Sequence, residues 1–409
     1  MSDNDPKQTS FVLMDSDSVY PDAAAVQKRA QARTGLLDFG VPPLEVPLSV
    51  LMRSLAEEAS LHRLGRFLAS VHIRDLLETR LRLVESWKHW DGLEAEPVQQ
   101  PIFVTGMPRS GSTFLHKLFS LDSSNRAPRV WEVMYPLRKR QAAHHVKSKI
   151  WRAETNLWWF RRLVPQADAV YPMRARDPHE CVAIHSYTFL SQEFISCFRI
   201  PRYEAFLDKA DLTPTYAWEK RFLQYLQSGQ APRRWVLKSP DHVRSLEALW
   251  KVFPDAIFIQ THRHPLETLV SSGYHTEILR GMFTSQQNRR EIGQREAEIM
   301  ADNMKRIMRF RDMHPELTDR FIDVRYQELT ADPEGTLQKI YKRMGMTVSD
   351  DMAALVRRLA STRGRYSSRR NRHPTLNELG LDGRAVEQEF GDYCSRFEVK
   401  RQLSDGQMH

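Results

Sequence analysis

Apolar and polar positions along the chain predict helices first and then a series of strand–helix units. Leucines recur at helical spacing between residues 48 and 83, with prolines at 42, 43 and 47 nearby, and this predicts a helical N-terminal region. Four later apolar runs each lead through a loop into a helical pattern, at residues 102–104, 235–238, 256–261 and 321–326. Short strands that alternate with helices indicate a parallel sheet covered on both faces.

The pattern therefore predicts an α/β fold of the P-loop type, in which helices flank a central parallel sheet in three layers. We expect residues 1–95 to form a helical N-terminal region or cap and residues 96–409 to form the main domain. An insert at about 123–234 is rich in aromatic residues, most of which we expect in the core and some in a pocket.

Ligands bind parallel sheets beyond the carboxyl ends of the strands. The loops at that edge cover residues 106–113, 238–242, 262–265 and 326–330. These loops are the candidate site.

Composition describes an ordinary globular protein, since 41% of the 409 residues are hydrophobic and 27% are charged. The three cysteines form no CxxC pair, and the first residues have neither the basic region nor the apolar core of a signal peptide. We therefore expect a cytoplasmic protein with reduced thiols. Because no apolar run has the length of a membrane-spanning helix, we expect no integral membrane segment.

The net charge of +9 is concentrated in one place, a basic segment at 357–372. This segment contains Arg357, Arg358, Arg363, Arg365, Arg369, Arg370 and Arg372. Such a cluster suits a polyanionic ligand, of which nucleic acid is one, or forms a solvated surface strip.

Residues 101–121 carry the clearest candidate chemistry. A strand-like run enters the loop Gly106-Met-Pro-Arg-Ser-Gly-Ser-Thr113, and a helical pattern leaves it. The spacing is that of a P-loop, GxxxxGK[ST], except that Ser112 replaces the lysine and Arg109 lies inside the loop. Backbone N–H groups at the start of such a helix bind phosphate or sulfate oxygens. We expect an anionic group of a nucleotide here, but not the γ-phosphate of ATP.

Four segments in this order resemble the sulfotransferases that use 3′-phosphoadenosine 5′-phosphosulfate (PAPS). The Pro-Arg-Ser-Gly-Ser-Thr loop is similar to that of tyrosylprotein sulfotransferases and of bacterial members. The other segments are Trp235-Val-Leu-Lys-Ser-Pro-Asp-His242, Thr261-His-Arg-His-Pro265 with Ser271 beyond it, and Asp323-Val-Arg-Tyr326 with the residues to Pro333. Together they span about 96–345, and Asp-Pro-His-Glu-Cys at 177–181 also resembles the bacterial branch.

The resemblance implies PAPS as co-substrate, adenosine 3′,5′-bisphosphate (PAP) as product, and no metal. The residues that it implies for holding PAPS are Arg109, Ser110, Gly111, Ser112, Thr113, Arg263, Ser271 and Tyr326. Arg109 and Lys238 would stabilise charge on the sulfuryl oxygens and the leaving phosphate. Arg263 and Ser271 would hold the 3′-phosphate, the arginine as a bidentate fork.

An acceptor hydroxyl needs a general base, and two candidates stay open. Glu132 lies 23 residues after Arg109, similar to the catalytic glutamate of the tyrosylprotein and heparan sulfate enzymes. His242 lies four residues after Lys238, whereas the cytosolic enzymes place a histidine two residues after the lysine. The alternative role of Glu132 is a structural ion pair, and that of His242 is packing in the core.

We therefore expect in-line transfer of a sulfuryl group to a hydroxyl of a small-molecule or lipid-like acceptor, with a homodimer as an open alternative. A P-loop kinase is the second hypothesis, which the missing lysine opposes. A nucleic-acid-binding module is the third, and no fold signature supports it. The segment Arg363-Gly-Arg-Tyr366 resembles the C-terminal segment that covers the 3′-phosphate, so we expect one or two of its arginines to reach PAPS.

Overall fold

A computed structural model describes residues 22–138, 143–164, 173–367 and 373–401, and excludes the side chains of 143, 144 and 362–367. Its centre is a sheet of five strands: β1 Ile102–Gly106, β2 Asn125–Arg126, β3 Arg234–Lys238, β4 Ile257–His262 and β5 Phe321–Arg325. All are parallel, in the order β2-β3-β1-β4-β5. The four predicted strands and the α/β fold class are confirmed. The sequence pattern did not predict β2, because its two residues are polar and form no apolar run.

Helices surround the sheet. In chain order they are α1 Ala23–Thr34, α2 Glu45–Glu57, α3 Arg63–Lys88, α4 Ser112–Phe119, α5 Val130–Met134, α6 Ala143–Leu163, α7 Val182–His185, α8 Gln192–Cys197, α9 Pro201–Leu207, α10 Thr213–Gln227, α11 Leu246–Val252, α12 Pro265–Gly281, α13 Arg289–Met313, α14 Tyr326–Ala331, α15 Pro333–Arg343, α16 Asp350–Ser367, α17 Gly383–Glu389 and α18 Gly391–Arg396. Short 3₁₀ turns lie at Leu93–Ala95, Ser186–Thr188, Pro240–Ser245 and Pro315–Arg320.

The two faces of the sheet bury different apolar clusters, because successive residues of a strand point to opposite sides. Phe103 and Leu237 pack on one face, in the cluster that also contains the N-terminal helices. Val104 and Val236 pack on the other face, against α4, α15 and α16. The sheet is therefore the middle of three layers, as predicted.

Register places the strand ends side by side. Ile102 of β1 pairs with both Val236 of β3 and Ile257 of β4. Since β1 lies between these strands, the loops that follow β1, β3 and β4 emerge at one edge. The strand order changes direction at this central position, and α/β sheets bind ligands in the crevice that forms at such a point.

Arg80 of α3 ties the N-terminal helices to the rest of the molecule. Its buried guanidinium donates to the carbonyl oxygens of Phe39 at 2.7 Å, Gly40 at 3.3 Å, Pro42 at 2.5 Å and Tyr187 at 2.7 Å. Burial lowers the pKa of this arginine to about 9. The N-terminal helices thus share both a core and a polar anchor with the main domain, and the domain division near residue 95 stays a prediction.

The aromatic insert is only partly in the core. Tyr203 and Trp218 are buried, as predicted, whereas Trp158, Trp159 and Phe160 of α6 are exposed. The prediction that most aromatic residues of the insert lie in the core does not extend to these three, because α6 buries its opposite face. In the part of the chain that the structure describes, no helix has the length and apolarity needed to cross a membrane.

Candidate functional site

The loop between β1 and α4 has the backbone of an anion-binding nest. Gly106 has φ 129°, Arg109 φ 66° and Gly111 φ 95°, all in the left-handed region that favours glycine. A Cβ at Gly106 would lie 2.3 Å from the carbonyl oxygen of Thr261, and one at Gly111 would lie 2.9 Å from Cδ2 of Tyr326. The loop then delivers the N-terminus of α4, which begins at Ser112, toward the crevice, where backbone N–H groups favour an anion.

Ser110 serves the shape of this loop. Its side chain is buried, donates to the carbonyl oxygen of Met107 at 2.5 Å and lies 2.6 Å from the hydroxyl of Thr261. The hydroxyl is thereby used inside the protein. Its backbone N–H also donates to the carbonyl oxygen of Met107, at 3.2 Å, so the place of Ser110 among the residues that hold PAPS stays a prediction.

Lys238 lies at the end of β3 and reaches the loop. Its ammonium nitrogen donates to the hydroxyl of Thr113 at 3.1 Å and to Oε1 of Glu180 at 2.5 Å. Only 3% of the lysine side chain and 16% of the glutamate side chain are exposed. A cation, a hydroxyl of the loop and a carboxylate therefore meet at one point of the crevice.

Arg109, Ser271 and Arg263 form a second group on the β4 side. The Nε of Arg109 donates to the hydroxyl of Ser271 at 3.0 Å, and Arg263 donates to the carbonyl oxygen of Arg109 at 3.1 Å. Arg263 also pairs with Glu267 at 2.9 Å and lies over the ring of Tyr326, 4.1 Å from its centroid. The structure thus brings together four residues that come from three separate segments of the sequence.

Histidines line the same region. Burial and the positive charges of Arg109 and Lys238 lower the pKa of His275 to about 4, while Glu180 acts in the opposite direction. His275 follows Ser271 by one helical turn on α12, so both face the crevice. His373 packs against Tyr274, and burial and the charges of Arg109 and Arg263 lower its pKa.

Glu132 has a different environment. It is the third residue of α5, where Oε2 accepts from the backbone N–H of Arg129 at 3.0 Å and Oε1 accepts from Arg126 at 2.9 Å. Its side chain is 9% exposed. Both carboxylate oxygens are bonded within the segment that carries Glu132, as in a structural ion pair, and its role as base stays a prediction.

His242 lies in the core beneath the crevice. Its Nδ1 bonds the hydroxyl of Tyr216 at 2.9 Å, and its ring packs edge-on to Phe103. Burial and the nearby charge of His185 lower its pKa. Its residue is fully buried, so this candidate base does not line an open surface. The sequence analysis placed His242 in a loop at the ligand-binding edge, but Pro240–Ser245 is a 3₁₀ turn whose histidine is buried.

The basic segment is only partly visible. Arg357 is 2.7 Å from Glu334, an exposed pair on α16 and α15. The side chains of Arg363 and Arg365 lie outside the described residues, as do Arg369, Arg370 and Arg372 altogether. The predicted arginine contact with PAPS therefore stays a prediction. His373, the first described residue after this segment, is close enough to Arg109 and Arg263 for their charges to lower its pKa.

Sequence reasoning missed Glu180 and His275. Glu180 lies in the segment 177–181, whose sequence resembles the bacterial branch. The spacing of residues along the chain did not link Glu180 to Lys238. The link is made in space, where the N–H of Cys181 donates to the carbonyl oxygen of Lys238 at 2.9 Å. The signal for His275 was its position four residues after Ser271, on the same helical face.

Comparison with known proteins gives a consistent set of relatives. Residues 101–350 match the model of the sulfotransferase family. Over 314 residues the chain is 25% identical to omega-hydroxy-beta-dihydromenaquinone-9 sulfotransferase Stf3 of Mycobacterium bovis, which covers 74% of this chain and 76% of that protein.

Two solved structures are similar along nearly the whole chain. Sulfotransferase STF9 from Mycobacterium avium has a TM-score of 0.83 and 26% identity, covering 95% of this chain and 99% of that one. Sulfotransferase STF1 from Mycobacterium tuberculosis H37Rv has a TM-score of 0.77 and 27% identity, covering 91% and 99%. The described fold therefore has experimental counterparts.

Proposed function

Because the chain belongs to the sulfotransferase family and is a sulfotransferase enzyme, we propose that it moves a sulfuryl group from PAPS to a hydroxyl of a lipid-like acceptor. The observation that supports this most directly is the meeting of Lys238, Thr113 and Glu180 at the end of β3. It joins a cation for the leaving phosphate to a carboxylate that is able to accept a proton. PAPS itself supplies an activated sulfuryl group on a phosphate leaving group.

The nucleotide-holding residues are the β1–α4 loop and the group on the β4 side. The loop N–H groups and the hydroxyl of Thr113 suit the 5′-phosphate, and the positive φ values of Arg109 and Gly111 turn those groups to one side. Arg263 is already oriented by Glu267 and Tyr326, so we assign it to the 3′-phosphate together with Ser271. Tyr326 supplies an aromatic face beside the loop for the adenine.

Catalysis requires that charge on the transferring group be stabilised where it develops. Lys238 reaches Thr113 of the loop from the end of β3, and Arg109 lies within the loop and contacts Ser271 on the β4 side. Both are held by hydrogen bonds, to Thr113 and to Ser271 respectively. They therefore need little reorganisation when the sulfur–oxygen bond to the leaving phosphate breaks.

We assign the general base to Glu180 in preference to Glu132 and His242. When the acceptor hydroxyl forms its new oxygen–sulfur bond, its proton goes to the Glu180 carboxylate. The ion pair with Lys238 holds this carboxylate beside the anion-binding loop, where the sulfuryl donor would bind. Glu132 is bonded through both oxygens and His242 is buried, which makes each less suited to reach an acceptor.

A lipid-like acceptor is supported by the relative Stf3, which is named for a hydroxylated dihydromenaquinone. Because the match covers 74% of the chain, it includes the insert at about 123–234. We therefore propose a long, apolar alcohol rather than a saccharide. The kinase hypothesis gains no support, since the relatives described above are sulfotransferases.

Thermal unfolding with nucleotides tests the donor. A ligand that binds only the folded state at about 100 times its Kd stabilises by about 2.7 kcal/mol. PAP should therefore raise Tm by several degrees, whereas ATP with Mg²⁺ and duplex DNA should not. Absence of a shift with millimolar PAP would reject the proposal, and a shift with ATP and Mg²⁺ alone would support the kinase. Labelled PAPS with long-chain alcohols then tests the acceptor.

A further inference from the structure

Helix α6 (Ala143–Leu163) presents an aromatic face to solvent. Ala153 and Leu157 bury its inner face in a small cluster with Val130 and Ala175. On the outer side, Trp158 and Trp159 are neighbours about two turns beyond Trp151, and the three side chains are largely exposed: Trp151 68%, Trp158 45% and Trp159 57%. Leu163, at the end of the helix, is 53% exposed. Single exposed apolar residues are normal, but three tryptophans on one helical face form a patch.

The same helix is basic. It carries Lys147, Lys149, Arg152, Arg161 and Arg162 against a single acidic residue, Glu154. The guanidinium of Arg162 lies over the ring of Trp158, 5.1 Å from its centroid. Exposed aromatic rings bordered by cations are typical of helices that lie in the interface of a membrane.

The segment that carries Glu180 connects this helix to the site. Oε1 of Glu154 accepts from the backbone N–H of Ala175 at 2.8 Å. Two residues later, Asp177 pairs with Lys117 of α4 at 3.2 Å. Glu180 follows three residues after Asp177 and pairs with Lys238 at the end of β3. The outer helix and the crevice are thus joined by a few hydrogen-bonded residues.

We propose that the outer face of α6, defined by Trp151, Trp158, Trp159 and Leu163 with Arg152 and Arg162, docks the enzyme on an anionic lipid surface. The rings enter the headgroup region, where their apolar bodies leave water and their N–H groups stay hydrated. The cations meet lipid phosphates, whose negative surface potential attracts them. The docking of α6 rests on the proposed function in one respect, its role of bringing the enzyme to a lipid-like acceptor that binds beside Glu180.

Charge favours a lipid surface over a second copy of the chain. In a two-fold symmetric dimer the same patch meets itself, so Arg152 and Arg162 would face the corresponding cations of the partner. Like charges at an interface are unfavourable. An anionic bilayer offers the opposite charge and an apolar layer for the tryptophans at once.

Vesicle binding by the full chain tests the proposal without any nucleotide. Sedimentation measures partitioning onto vesicles of phosphatidylcholine alone and of phosphatidylcholine with about one third phosphatidylglycerol. We expect binding to the anionic vesicles, weakened by salt, and tryptophan quenching by brominated lipid. The variant Trp151→Ser/Trp158→Ser/Trp159→Ser should lower partitioning at least about tenfold. The variant Arg152→Gln/Arg162→Gln should lower it by roughly fivefold per charge.

Phe67→Ser is the matched control, because Phe67 is a 55% exposed aromatic residue on α3. It should partition like the wild type, and circular dichroism and Tm show that each variant is folded. Equal partitioning of the tryptophan variant and wild type would overturn the proposal. So would a wild-type dimer in sedimentation velocity that the tryptophan variant dissociates, because the face would then be a contact between copies. The PAP thermal shift is measured on the same samples, so failure of the donor site and failure of the lipid surface are read separately.

Discussion

Glu180 and Lys238 form an ion pair with 2.5 Å between Oε1 and the ammonium nitrogen, nearly closed off from solvent. They come from segments 58 residues apart. The lysine continues to the hydroxyl of Thr113, so the pair couples the end of β3 to the anion-binding loop. In the proposed mechanism this contact joins the base, Glu180, to the cation that serves the leaving phosphate, Lys238.

Replacing Glu180 should separate chemistry from binding. We expect Glu180→Gln to reduce kcat by about 10²–10³, since general-base catalysis contributes about 10²–10⁴. PAP affinity should stay within about threefold, because the nucleotide is held by other residues. Steady-state kinetics and PAP titration by calorimetry measure the two effects.

The other two candidate bases supply the controls. Glu132→Gln should lower Tm through loss of the Arg126 pair and leave kcat of the folded enzyme near that of wild type. His242→Gln should likewise act on stability. If either variant lost turnover while Glu180→Gln kept it, the base would be reassigned to that residue.

Arg263 should act on nucleotide affinity. Arg263→Ala removes the bond to the carbonyl oxygen of Arg109 and the packing on Tyr326. Hydrogen bonds to charged groups contribute about 1.5–3 kcal/mol, so Kd for PAP should rise by about 10- to 100-fold. Arg263→Lys should recover little, because an ammonium lacks the planar fork. Arg289→Ala removes an exposed pair with Glu277 and should leave Kd for PAP unchanged. If Kd rose equally in this variant, the loss of net positive charge would explain the effect instead of the contact of Arg263.

Gly111 tests whether the loop touches Tyr326 closely. Gly111→Ala meets two obstacles, a φ of 95° and a Cβ only 2.9 Å from Cδ2 of Tyr326. Overpacking adds about 1–3 kcal/mol to the cost of the backbone conformation. Gly229→Ala is the matched control, since its φ of 69° is also positive but its Cβ would meet open space. Urea unfolding should show the larger loss for Gly111→Ala, and Gly111→Ala/Tyr326→Ala should regain part of it.

His116 should make the fold sensitive to acid. It is buried on α4 with Nε2 3.0 Å from the carbonyl oxygen of Val236, and burial lowers its pKa from 6.5 to about 4. Between these values the unfolded chain binds the proton and the folded one does not. The contribution of neutral His116 to the free energy of unfolding is therefore present above pH 6.5 and is lost as pH falls toward 4. The loss is about 2 kcal/mol at pH 5.

Urea unfolding of His116→Gln at pH 7 and pH 5 measures this. The variant should be less stable at pH 7, and the gap to wild type should narrow by about 2 kcal/mol at pH 5. His89→Gln, an exposed histidine on the surface, is the control. A constant gap for His116→Gln would show that another group carries the acid sensitivity.

The sequence predicted the strands, the helices and the β1–α4 loop because these depend on the pattern of neighbouring residues. Strands β1, β3, β4 and β5 each have an apolar run, and Gly106 to Thr113 has a fixed spacing. The resemblance pointed to Arg263 and Ser271, which lie on one strand–turn–helix unit, and to Tyr326, directly after β5. Their role in holding the nucleotide stays a prediction.

The residues that the sequence did not foretell depend on long-range packing. Glu180 is positioned by the backbone bond between Cys181 and Lys238, which no local pattern encodes. Glu132 had a suggestive spacing, but a neighbouring arginine and a helix start use both its oxygens. Trp158 and Trp159 seemed equivalent to Trp218 in the sequence, and only the packing of α6 decides which face is covered.

Arg80 has a consequence for how the N-terminal helices move. Its guanidinium holds three carbonyls of the connection between α1 and α2 and a fourth in the insert. Moving these helices away as one body would break only the bond to Tyr187, but it would expose a guanidinium that is now buried. Changing the bend between α1 and α2 would break three bonds at once, so this bend is the more firmly held of the two.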